Sequence, residues 1–186
     1  MNHFELFDLP ISHRVDAQQL LEKYRALQQQ YHPDQFINHS ALEQRRAAQQ
    51  SSLINEAYGV LKKPLRRYQY LLILRDLSFD PQHDIQLDSD FLMSQMALRE
   101  DLESIRKLPV DEQTTALSQT LSQIDEQRKQ IEAKLIGIFE TLEHNPAADA
   151  EQTDELETSA KAQLQKMQFF EKLQHEIELI EESHFD

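Results

Sequence analysis

At 186 residues and 39% hydrophobic content the chain can build one ordinary domain or two small ones, and 2 glycines, no tryptophan and many Gln, Leu, Glu and Ala make it a soluble all-α protein. A formal charge of -14, from 33 acidic against 19 basic residues, removes the usual electrostatic source of nucleic-acid affinity, and zero cysteines exclude disulfides and thiolate-held zinc or clusters. The N-terminal "MNHFELFDLP" lacks a basic and then apolar signal pattern, and the longest apolar run, "YLLIL" at 70–74, is too short to span a bilayer, so no membrane partner and a cytoplasmic location are expected.

A short element over residues 3–8 ends at Pro10, which cannot donate a helical hydrogen bond. Asp16 then caps a helix whose stripe is Leu20, Tyr24, Leu27 and Tyr31. Pro33 biases His32 away from helical geometry and stops it. From Ser40 a long helix presents Ala47, Ile54, Ala57, Tyr58 and Leu61 on one side, so the two helices can pack antiparallel. A shorter helix opens at Pro64 and carries Leu65, Tyr68, Leu71 and Leu72. The segment "DLSFDPQHDIQLDSD", with five aspartates, a proline and no helical period, reads as a linker over 76–89 between domains at 1–75 and 90–186.

Three helices are expected beyond it, at roughly 90–107, 111–143 and 153–182. The middle one spaces Leu117, Leu121, Ile124, Ile131, Leu135, Ile138 and Leu142 as a bundle seam, with Arg128 in the skipped position. On the first, with Phe91 set to zero and about 100° per residue, Leu98, Leu102 and Ile105 form the core stripe. Leu92, Met93 and Met96 fall near 100°, 200° and 140°, roughly opposite, and Glu100 and Glu103 continue their face. Either this second apolar face packs inside the protein, or it is a docking patch of adaptable methionines beside acids. On the last helix Phe169 lies at the edge of a stripe of Met167, Phe170, Leu173 and Ile177, as core rim or as contact.

Other chemistry finds little support. "HEIEL" at 175–179 lacks the second histidine of a zinc-protease helix, no glycine-rich phosphate loop exists, and no metal or cofactor is expected. His3, His13, His39, His83, His144 and His184 are scattered without ligand spacing and read as solvated, as do the arginine pairs at 45–46 and 66–67, which could also support docking. A helical hydrolase using His32 and Asp34 as acid and base would need a nucleophile, metal set or pocket, and the sequence signals none.

The tripeptide His32, Pro33 and Asp34 stands at the turn between two antiparallel helices, where both polar side chains can reach a partner. With the apolar helix before it and "INEAYGVLKKPLRRYQY" at 54–70 it resembles the J domain of DnaJ-type co-chaperones. Nearly end to end, through "HFELFDLP", "QYHPDQF", "SSLINEAYGVLKKPLRRYQYLL", "FLMSQMALREDLESI" and "FFEKL", the chain is similar to the HscB family, J-type co-chaperones of iron-sulfur cluster assembly. The resemblance implies a J domain joined to a three-helix bundle, with no enzymatic activity of its own. It implies contact with the DnaK-type chaperone HscA through His32, Pro33 and Asp34, with Lys23 and Arg25 as basic support, and stimulation of that partner's ATPase. It further implies that Leu92, Met93, Met96, Glu100 and Phe169 hold the scaffold IscU. Gln29 and Gln35 stand where the family commonly has basic residues, and Ala97 and Ser104 where it commonly has acids. A general J protein with another client is the alternative within the same class.

Overall fold

The computed structural model describes residues 1–75, 77, 89–144 and 150–182. By internal contacts the chain divides into two compact units, Met1–Ser78 and Phe79–Asp186. The linker expected over 76–89 lies, except for residues 77 and 89, outside the described residues, as do His83 and His184. Every described element is helical. No described helix is long and apolar enough to cross a membrane.

In the first unit, α1 (His3–Leu6) starts on a capping box between Asn2 and Glu5 and buries Phe4. α2 (Ala17–Tyr31) starts on Asp16, whose carboxylate accepts from the backbone of Gln18 and Gln19. α3 (Ala41–Lys62) starts on the Ser40/Glu43 capping box and buries Ala47, Ser51, Ile54, Ala57 and Leu61. α4 (Pro64–Ile73) has its proline in the first turn, where no helical donor is missed, and buries Leu65, Tyr68, Leu71 and Leu72. Within this core the α2 stripe is only partly sealed: Leu20 is buried, whereas Tyr24, Leu27 and Tyr31 are half-buried. Polar links complete the α2/α3 seam. Tyr24 stacks on Tyr58 with ring centroids 4.1 Å apart and donates to Asn55 at 3.0 Å, while Gln28 donates to the Ser51 carbonyl at 3.3 Å.

Three side chains read as solvated are not. His13 is buried. His3 stacks on Tyr70 at 4.2 Å, and partial burial lowers its pKa, with Glu56 opposing the shift. Arg67 is buried too, donating from Nε to the His13 carbonyl at 2.9 Å and from Nη1 to the Leu61 carbonyl at 2.7 Å. A planar guanidinium can tie the loop before α2 to the end of α3 in this way because its donors diverge rigidly, a use of arginine that helical periodicity does not reveal. Arg67→Met should therefore leave two carbonyls without their donor and cost about 2–4 kcal/mol. Urea unfolding of the variant against the parent measures this, and a loss under about 0.5 kcal/mol would show the strut to be dispensable.

The second unit consists of α5 (Ser89–Ile105), α6 (Val110–His144) and α7 (Ala150–Glu182). Leu98, Leu102 and Ile105 are the buried residues of α5, as the angular reading expects. Along α6 Leu117, Ile124, Ile131, Leu135 and Leu142 are buried, but Leu121 and Ile138 are only half-buried and Phe139 takes the core place read for Ile138. An α-helix drifts by about 20° per heptad against a strict seven-residue repeat. Two heptads past Ile124 this leaves Ile138 roughly 40° to one side of the seam and Phe139 roughly 60° to the other, and the larger aromatic takes the buried side. α7 buries Ala160, Leu164, Met167, Phe170, Leu173, Ile177 and Ile180. Arg128 donates to Gln174 across the α6/α7 seam. Gln113, buried near the start of α6, closes the turn from α5 by donating to the carbonyls of Arg106 at 3.2 Å and Leu108 at 2.6 Å.

Candidate functional site

His32 ends α2 in an extended conformation, as a residue before proline must. The chain then winds Pro33–Phe36 into one 3-10 turn, for which the proline supplies the right φ and from which it removes no needed donor. Two backbone bonds hold it: Gln35 N–H to the His32 carbonyl at 2.9 Å and His39 N–H to the Phe36 carbonyl at 3.0 Å. His32 Nδ1 accepts from the Asp34 N–H at 3.3 Å and lies 3.6 Å from Asp34 Oδ2. One nitrogen cannot serve both. In this arrangement the ring nitrogen caps the turn by accepting the Asp34 N–H. The His32 and Asp34 side chains are 52% and 78% exposed, so the turn presents an imidazole edge and a carboxylate to solvent on a fixed backbone.

That exposure leaves the pair open to solvent. The unit does contain a cavity of about 220 Å³, but it is lined by Val15, Leu20, Leu21, Tyr58, Leu61 and their neighbours, not by His32 or Asp34. Nor do the basic residues read as support sit beside the turn. Arg25 and Lys23 are seven and nine residues back along α2, roughly 10 and 13 Å of helical rise. Arg25 is exposed and has no ion pair with a described residue. The ammonium of Lys23 is bound by the Asp8 carbonyl at 2.6 Å and carboxylate at 3.2 Å. It braces the left-handed corner at Asp8, whose φ is 48°.

In the second unit the face opposite the α5 core stripe is open: Leu92, Met93 and Met96 are 44%, 70% and 64% exposed, and Glu100 is exposed one turn on. Phe169 reaches the same helix from α7. Its ring meets Phe91 edge-on at 5.8 Å and Phe170 at 5.3 Å, with the Arg99 guanidinium 5.9 Å above it. Phe91, read as the origin of the core stripe, is only half-buried and belongs to this aromatic group, with Lys166 5.0 Å over its ring. The structure thus brings Phe169 to α5 as a half-buried rim. The roles of Phe91 and the two cations are invisible to a reading of helices one at a time. No group of three or more His, Asp or Glu side chains suited to a metal ion occurs among the described residues.

The comparisons with known proteins agree in both units. Residues 3–70 match the DnaJ domain family, and residues 87–178 match the family described as HSCB C-terminal oligomerisation domain. A J domain implies an Hsp70-type chaperone as partner. The chain is 39% identical over 188 residues to the Co-chaperone protein HscB homolog of Colwellia psychrerythraea, covering 100% of this chain and 99% of that one. Among solved structures it is similar to chaperone HscB from Vibrio cholerae, at 35% identity and a TM-score of 0.80 over 98% of this chain and 99% of that one. It is also similar to human co-chaperone protein HscB, at 28% identity and a TM-score of 0.79 over 96% and 81%. With a J domain carrying a His-Pro-Asp turn, a three-helix second unit and this similarity along its whole length, the chain belongs to the HscB family of J-type co-chaperones.

Proposed function

We propose that the chain is a cytoplasmic adaptor, not an enzyme, that stimulates the ATPase of the DnaK-type chaperone HscA and delivers to it the iron-sulfur scaffold IscU. In this reading residues 1–75 act as the J domain, 76–89 as the linker and 90–186 as the scaffold-binding domain. The observation that supports it is a solvent-facing feature in each unit: the His32–Pro33–Asp34 turn, and the open Leu92, Met93 and Met96 face.

The turn would bias the chaperone toward its hydrolysis-competent state, with Asp34 offering a carboxylate to a cation of the partner and His32 holding the turn in shape. Leu92, Met93 and Met96 would take apolar side chains of the scaffold, Glu100 would border them, and Phe169 would form the rim. Joining the two contacts in one chain makes the second binding step intramolecular and raises the scaffold's effective concentration at the chaperone. Chaperone ATP turnover measured with the chain alone, with scaffold alone and with both tests the reading. Stimulation by both together should exceed the product of the two separate stimulations; a merely additive response would remove delivery from the function.

A further inference from the structure

The turn is not the only exposed feature at that end of the first unit. Ile37 and Leu42 are 65% and 59% exposed, although both are large aliphatic side chains within eight residues of Asp34. Their exposure is built in. Gln44 donates its side-chain amide to the carbonyls of Ile37 at 3.0 Å and His39 at 3.1 Å, the Phe36 and His39 rings lie 5.1 Å apart, and the Ser40/Glu43 box starts α3 directly behind them. Arg45 and Arg46 follow Leu42 at i+3 and i+4, Arg45 on the face of α3 opposite buried Ala47 and Ile54 and Arg46 on its flank, about 80–100° from them. Both are exposed and have no ion pair with a described residue; the nearest acid along the helix, Glu43, is bound to Ser40 at 2.6 Å, and those bonds to Ser40 hold its carboxyl below the usual range with a smaller contribution from Arg46.

We propose that Ile37, Leu42, Arg45 and Arg46 form a second half of the chaperone-docking surface, an apolar and cationic shoulder that fits a chaperone patch of apolar side chains ringed by carboxylates. This rests on the reading of the His-Pro-Asp turn as the chaperone contact. Continuity argues for the same occupant. A stable protein interface covers about 800 Å² on each partner, a footprint reaching roughly 15 Å outward from its centre, and Ile37 directly follows the 3-10 turn on which α3 packs. Charge argues likewise. Residues 1–75 hold ten Lys and Arg against seven Asp and Glu, whereas the rest of the chain holds nine against 26. The shoulder therefore belongs to the net-basic part of an acidic chain, and seating one shoulder on another would oppose arginine to arginine.

The test is a titration of full-length chain into the chaperone, following ATPase stimulation for the parent, Ile37→Ser/Leu42→Ser, Arg45→Glu/Arg46→Glu and His32→Gln. Both shoulder variants should raise the half-maximal concentration about tenfold, with the maximum stimulation and the thermal midpoint unchanged. The arginine effect should shrink in 0.5 M salt, on the order of a 4 Å screening length, while the aliphatic effect persists. Shoulder variants that titrate like the parent while His32→Gln abolishes stimulation would overturn the shoulder and leave the turn in place. If His32→Gln also behaves like the parent, the reading of the turn itself falls. A change in sedimentation with no change in the titration would assign the shoulder to a second copy of the chain and overturn the proposal.

Discussion

Replacing His32 by Gln or Asp34 by Asn is expected to abolish stimulation of the chaperone ATPase while leaving the helical CD signal and thermal midpoint of the chain unchanged. Stability is spared because both side chains are solvent-facing, and because Pro33 and the backbone bonds from Gln35 and His39 hold the turn without them. Surface changes of this kind usually move stability by less than about 0.5 kcal/mol. Function should not be spared, because in the proposed contact Asp34→Asn would remove the charge from a charge-assisted hydrogen bond and leave the partner's cation without its counter-ion. Truncating one side of such a pair costs about 2–5 kcal/mol, which is a loss of roughly 30-fold or more in the population of the productive complex. His32→Gln acts by another route, since a flexible amide replaces the rigid acceptor that caps Asp34 N–H and the carboxylate is no longer presented in one orientation. Undiminished stimulation by both variants would place the chaperone contact elsewhere on the first unit.

Much of this architecture is legible in the amino-acid sequence alone. The helix starts at Asp16, Ser40 and Pro64 follow from side chains that satisfy or avoid the free donors of a first turn, and the structure has all three. The open face of α5 is legible because three large apolar residues fall opposite a complete core stripe. What a sequence does not carry is anything that depends on two elements meeting. Arg67 reads as one of a solvated pair until the loop at His13 folds over it. Phe91 and Phe169 are 78 residues apart and become one aromatic group only when α5 meets α7. Lys23 follows the same rule: its sign and position on α2 suggest a free cation, and its bond to Asp8 depends on where the loop after α1 returns. The 3-10 turn escapes for a different reason. A four-residue element has no periodicity to detect, and a proline that ends a helix gives no sign of which tight turn follows.

The second large effect is expected from Leu92→Ala, Met93→Ala and Met96→Ala made together. The scaffold should lose at least tenfold and up to about a hundredfold in affinity while the free protein keeps its thermal midpoint. The two halves of this expectation come from the same exposures. A buried large side chain cut to alanine costs about 2–5 kcal/mol because it leaves a cavity. Met93 and Met96 are 70% and 64% exposed and Leu92 44%, so most of what is removed already faces water and no cavity forms. Alanine is also the best helix former, which offsets the small packing loss at Leu92. In a complex the same side chains would sit at the centre of the contact, where each truncation typically costs more than about 1 kcal/mol. Stimulation of the chaperone without scaffold should be unaltered, because the turn at His32 is untouched. Midpoint, scaffold affinity and scaffold-free stimulation are therefore to be measured on the one triple variant. A large fall in the midpoint would return these residues to the core. Unchanged binding with an unchanged midpoint would move the docking site toward Phe169, whose half-buried ring joins Phe91 and Arg99 at the α5/α7 edge.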